Sequence, residues 1–387
     1  MKQCWLLGLA MIVTVMSWAG ATTAEAGYIV VDLGVLAGGS GSSGSGINAT
    51  GIAAGTGQDI NGQDRAIRAL GGGPPENLTT LSGGRFSFGA AINSGGVVVG
   101  SSEVMITPFR WQVHGFLSSG PGSASDLGVL TGGTESHATG INDSGLVVGY
   151  GTLVTGTAAI VTRAFETVQG SKTLSEVGLL PGGSNSRAEG VNAFGSIVGS
   201  ADNASGVFHA FRSSGAGQLE DLGSLSGPSG TSFGLGINDF GIVVGKGAVA
   251  NAFEAFRSKV DGTLQPLGFL NGTTSSSANA INDAGTVVGS SSFASGASLA
   301  FLYSDETGLV DLNALIPSSS GWVLNSATGI NGSGQITGTG TIKGQTHAFR
   351  LDPASVPEPS ALTLALTGLG LARLVALARR TGRGVTT

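Results

Sequence analysis

Four histidines, His114, His137, His209 and His347, are the side chains of this 387-residue chain best suited to metal ligation or proton transfer. A metal site needs them to converge, usually with a carboxylate. His209 and His347 each precede an Ala-Phe pair in separate copies of one phrase, so they are expected on different modules as repeat-slot residues. Asp143, Asp239 and Asp283 each follow an Asn. Calcium takes six to eight oxygens, whereas each of these segments offers one Asp beside one Asn, so solvent-facing turns are expected instead. Gly38-Gly39-Ser40-Gly41 lacks the spacing of a nucleophile elbow. Neither an H-E-x-x-H helix nor a G-x-x-x-x-G-K-S/T phosphate loop occurs. The single Cys, Cys4, excludes intrachain disulfides and cysteine-based zinc sites. No catalytic, cofactor-binding or metal-binding residue is therefore assigned, and no cofactor is expected.

What must position any such side chain is a repeat. Ile or Val, Asn, two variable residues, Gly, three mostly aliphatic residues and Gly recur seven times. The Asn residues are Asn48, Asn93, Asn142, Asn192, Asn238, Asn282 and Asn331, and Gly stands three and seven residues after each. The spacing averages about 47 residues, so seven modules fill residues 27–355 with no room for another domain. Each module has two further phrases. One is Ala-Phe-Arg, with Pro108-Phe109-Arg110 as the copy in the second module; the other is Asp-Leu-Gly-x-Leu, clearest at Asp32, Asp126 and Asp221.

The pattern is that of strands. Val147-Val148 and Val243-Val244 are β-branched runs bounded by Gly. Asn-x-x-Gly reads as a structural hairpin turn with Gly in the left-handed region. About four short strands per module predict an all-β, seven-bladed β-propeller. The chain begins with an Asp-Leu-Gly strand and ends with an Ala-Phe-Arg strand, so pairing of Val30–Leu33 with 347–351 is expected to close the ring.

The two ends read as addresses. Lys2, an apolar run over 5–19 and Ala24-Glu25-Ala26 form a signal peptide, 1–26, with cleavage between Ala26 and Gly27. At the other end, 356–387 contains Pro357-Glu358-Pro359, an apolar stretch over 361–378 long enough for a membrane helix, and terminal arginines. This order resembles the PEP-CTERM sorting tail of exported bacterial proteins. The resemblance implies transient anchoring in the inner membrane of a Gram-negative bacterium and processing by an exosortase near Pro357, Glu358 and Pro359. Release to the cell surface or extracellular matrix would follow. His209-Ala210-Phe211 and His347-Ala348-Phe349, with the Asp-Leu-Gly and Ile-Asn-Asp phrases, resemble the HAF repeat of bacterial extracellular proteins, a resemblance that carries over no particular activity.

Residues 27–355 hold 13 Lys and Arg against 22 Asp and Glu, a net charge of −9. Such a body has no attraction for nucleic acid. The expected function is that of an exported, non-enzymatic surface or matrix component, with signal peptidase and exosortase as processing partners and exopolysaccharide as the candidate ligand. Met105, Phe109 and Trp111 are candidate sugar contacts, with burial between blades as the competing role. The alternative is a propeller enzyme acting on glycans, a hydrolase or lyase. It would need paired acids about 5–10 Å apart, with Asp126 and Glu135 as candidates across the channel.

Overall fold

The computed structural model describes residues 27–354 apart from 155, 157–158, 169–170 and 214–217. The leader with Ala24 and Ala26, the Pro357-Glu358-Pro359 motif and the 361–378 stretch lie outside the described residues.

Seven four-stranded antiparallel sheets form the blades of a β-propeller. Blade 1 consists of Ser42–Ile47, Ala53–Gln58, Asp64–Ala69 and Glu76–Asn77, in that order from the axis outward. Blades 2 to 6 open with Ser87–Ile92, Gly133–Ile141, Ser186–Val191, Ser232–Ile237 and Ser275–Ile281. Blade 7 contains Trp322–Ile330, Ile336–Ile342 and Gln345–Pro353, and takes its fourth strand, Tyr28–Asp32, from the other end of the chain. The Leu33 N–H donates to the Ala348 carbonyl at 3.0 Å, so the expected closure is present.

Apolar residues on the inner strands make the core. Val147, Val148, Val243 and Val244 are buried. On the third strands Phe116, Phe165, Phe211, Phe256, Phe301 and Phe349 are fully buried, with Ile67 in the blade 1 slot. Each contributes roughly 2–3 kcal/mol of hydrophobic stabilisation. Phe116 corrects the reading of the second module. Phe109 is 92% exposed near the tip of a long hairpin, Val98–Thr107 with Arg110–Ser118, and the repeat slot belongs to His114-Gly115-Phe116. The insertion that lengthens this hairpin carries a chance Pro-Phe-Arg that mimics the repeat.

Both glycines of the repeat have a backbone reason. The first adopts φ between 74° and 84° in all seven turns. The second faces a bulge in the first strand, as between Ala138 and Gly140, where that strand's backbone comes very close. A Cβ on Gly149 would stand 1.9 Å from the His137 carbonyl oxygen.

Buried serines tie the blades together. Ser42 Oγ accepts the Ala348 N–H at 2.9 Å and donates to the Gly34 carbonyl at 2.6 Å, both on the preceding blade. Ser87, Ser136, Ser186, Ser232 and Ser276 repeat the arrangement.

Candidate functional site

The repeat asparagines form one closed ring of hydrogen bonds. Each Nδ2 donates to the main-chain carbonyl of the next Asn: Asn48 to Asn93 at 3.1 Å, Asn93 to Asn142 at 3.4 Å, Asn142 to Asn192 at 3.1 Å and Asn192 to Asn238 at 3.1 Å. Asn238 reaches Asn282 at 3.2 Å, Asn282 reaches Asn331 at 3.1 Å, and Asn331 returns to Asn48 at 2.9 Å. Each Oδ1 meanwhile accepts the N–H four residues on, within its own turn, at 2.9–3.0 Å. Both jobs need the short amide: Asp lacks the donor.

Six of these side chains are only 4–7% exposed and that of Asn93 is half-buried, whereas the sequence pattern predicts solvent-facing turns. They are buried because they bridge blades as well as shaping turns. The carboxylates beside them join in. Asp143 accepts from the Ser94 N–H, Asp239 from the Ala193 N–H and Asp283 from the Asp239 N–H, each on the preceding blade. The ring rims a shallow cavity of about 300 Å³ at this mouth.

The far end of the inner strands differs from blade to blade. First strands of neighbouring blades pack side by side around the axis. In blade 3, Ser136 and Ala138 are buried between blades, so the alternation of a strand turns His137 the other way. Five residues of strand put His137 about 16 Å from the Asn ring. Around the seven blades this slot holds Ser43, Phe88, His137, Arg187, Phe233, Ser277 and Ser326. The second-strand residues paired with them are Thr56, Ser101, Tyr150, Ser200, Lys246, Ser290 and Thr339. Blades 6, 7 and 1 therefore present hydroxyl pairs, whereas blades 2 to 5 carry aromatic or cationic side chains.

The aromatic and cationic side chains touch one another across blades. His137 stacks on Tyr150 with ring centroids 4.9 Å apart, and the Arg187 guanidinium lies 4.6 Å over the same Tyr150 ring. Lys246 Nζ sits 5.7 Å from the Phe233 centroid and 5.2 Å from that of Phe253, and Phe208 stacks on Phe233 at 6.3 Å. Glu189, two residues after Arg187, is half-buried beside them. Burial pushes its carboxyl up to about 7, against the opposing pull of Arg187 and Lys246. Burial also lowers His137 and raises Tyr150.

The other sequence candidates lie elsewhere. Asp126 is on the outermost strand of blade 2, where His114 Nδ1 meets it at 2.9 Å, and Glu135 is on the innermost strand of blade 3. The two do not face each other across a channel. Burial opposes ionisation of Asp126, but the bonds from His114 and the Gly128 N–H hold its carboxyl below the usual range. His209 pairs with Asp221 and His347 with Asp32, both at 2.9 Å, so three histidines fill one slot on three blades. Among the described residues no three His, Cys, Asp or Glu converge as metal ligands. Met105 and Trp111 are partly exposed near Phe109 rather than buried between blades.

The patch on blades 2 to 5 escaped sequence reading because its members are single departures from a repeat. Aligning the modules on their Asn residues and reading the position five before each would have exposed it. The same alignment would have found the serines, which stand six before the Asn in six modules.

A family model described as a protein of unknown function, DUF3466, matches residues 228–358, which take in blades 5 and 6 and the three C-terminal strands of blade 7. No curated protein sequence matches the chain. Among solved structures, TolB from Acinetobacter baumannii is similar at 10% identity and a TM-score of 0.43, over 78% of this chain and 63% of that one. The match thus spans less than two thirds of that protein. A fungal lectin of Aleuria aurantia, described as a six-bladed propeller that recognises fucose, is similar at 11% identity and a TM-score of 0.38, over 71% of this chain and 95% of the lectin. At these values neither likeness bears on function.

Proposed function

We propose that the chain is an exported, non-enzymatic propeller that binds a glycan as a component of the cell surface or extracellular matrix. The observation that carries this reading is the division of the far end of the inner strands into a hydroxyl arc on blades 6, 7 and 1 and an aromatic arc on blades 2 to 5. Aromatic faces stack on the C–H faces of pyranoses, and hydroxyls exchange hydrogen bonds with theirs. Exopolysaccharide is the proposed partner and nucleic acid is not, given the acidic body. In the same proposal, signal peptidase removes 1–26, the 361–378 segment holds the chain transiently in the inner membrane, and an exosortase acts near Pro357-Glu358-Pro359.

Two measurements test it. Mass spectrometry of the native termini should find Gly27 first and nothing beyond the sorting motif; recovery of an intact tail on surface protein rejects the processing. Immobilised exopolysaccharide from the producing cells should retain the purified protein, and failure to retain it rejects the binding role. A glycan-acting enzyme is the second reading, favoured by the raised carboxyl of Glu189 near Arg187, Lys246 and Tyr150. New reducing ends or unsaturated uronate absorbance on incubation with polysaccharide would establish it.

A further inference from the structure

We infer that the far end of the inner strands selects a saccharide bearing carboxylates, a uronate-type polymer, with Arg187 and Lys246 as its anion contacts. This rests on the glycan-binding reading and adds the charge of the ligand. Of the nine described arginines, seven hold a carboxylate of their own: Arg65, Arg68, Arg85, Arg163, Arg212, Arg257 and Arg350. Of the other two, Arg110 lies at the tip of the blade 2 hairpin; Arg187 has no ion pair among the described residues either, although the body carries an excess of acids. It is instead laid on the Tyr150 ring and exposed. Stacking leaves the N–H edges of a guanidinium free, and those edges match a carboxylate in bidentate fashion.

Lys246 is treated the same way. It has no carboxylate partner among the described residues, and the rings of Phe233 and Phe253 hold its ammonium one blade further round. Aromatic support fixes a cation without neutralising it. Two cations held in this manner on blades 4 and 5, beside aromatic faces and opposite the hydroxyl arc, suit a polymer in which each sugar ring offers an apolar face, hydroxyls and a carboxylate. Glu189 lies near enough to both cations to feel their charge but forms no ion pair with either among the described residues.

The test is binding of the full chain to oligoalginate and oligogalacturonate, with malto-oligosaccharides of the same length as neutral probes, by calorimetry at fixed ionic strength. Uronate oligomers should bind at least tenfold tighter than neutral ones. Arg187→Gln should weaken uronate binding at least tenfold and Lys246→Gln at least threefold. Arg187→Lys should restore part of the loss, while Lys259→Gln, at the opposite end, should change nothing. Thermal melts of each variant confirm that the ring is intact; Arg187 is exposed, so its replacement leaves the core alone. Equal affinity for neutral and uronate oligomers would overturn the inference and leave the glycan reading standing. Uronate binding that is indifferent to Arg187→Gln in a folded variant would also overturn it. No binding to either class of oligomer would overturn both.

Discussion

The side-chain amide of Asn331 donates to the main-chain carbonyl of Asn48 at 2.9 Å, across 283 residues of sequence. It is one of seven equivalent bonds, and it is the one that joins the last blade to the first.

Removing such an amide leaves a buried carbonyl and a turn N–H short of partners. Unsatisfied buried groups cost about 1–3 kcal/mol each. Asn142→Ala should therefore lower unfolding free energy by about 2–4 kcal/mol in urea titration. Asn142→Asp, which keeps the acceptor and loses the donor, should also destabilise. A midpoint unchanged in both would mean that the ring carries no energy.

Deleting residues 27–33 removes the fourth strand of blade 7 and the fully buried Leu33. The strand Gln345–Pro353 then becomes an open edge. Size-exclusion chromatography should show association, and the melting transition should fall and broaden. A monodisperse protein with the parental transition would contradict the closure.

The two repeat glycines should fail differently. Gly149→Ala drives a Cβ into the His137 carbonyl and should cost about 3 kcal/mol or more. Gly145→Ala meets no atom within 4 Å but must hold φ near 84°, a strain of about 1–2 kcal/mol. Denaturant midpoints of the two variants should rank in that order.

Glu189 makes stability depend on pH in a defined direction. Its carboxyl is raised from 4.5 to about 7, so between those values the folded state binds the extra proton and stability falls as pH rises. The contribution is full below pH 4.5 and lost above 7. Glu189→Gln should match the parent near pH 4.5 and exceed it at pH 8, by up to about 3 kcal/mol. Parallel stability curves for the two proteins would refute the shift.

Blade number, strand number and closure were legible because each rests on spacing: Asn every 47 residues or so, and an Asp-Leu-Gly strand present at the start and missing at the end. The demand for Gly at both repeat positions was legible for the same reason. The destination of the Asn side chains was not, because a turn and an inter-blade bond ask for the same residue. Phe109 misled because three adjacent letters matched a phrase while the hairpin around them had grown; the distance from Gly100 to Phe116 equals that from Gly149 to Phe165. The Tyr150, Arg187, Phe233 and Lys246 patch was hidden because its members lie on three blades in repeat slots whose residue type changes from module to module.

The Asn ring and the serine ties hold identical residues in nearly every sector, while the slot five residues upstream holds almost any side chain. Fastening and the recognition proposed above would thus be written at separate addresses in each module. A lineage built on this plan can redraw the surface at one end of the propeller by single replacements, with no need to re-engineer what keeps the ring shut.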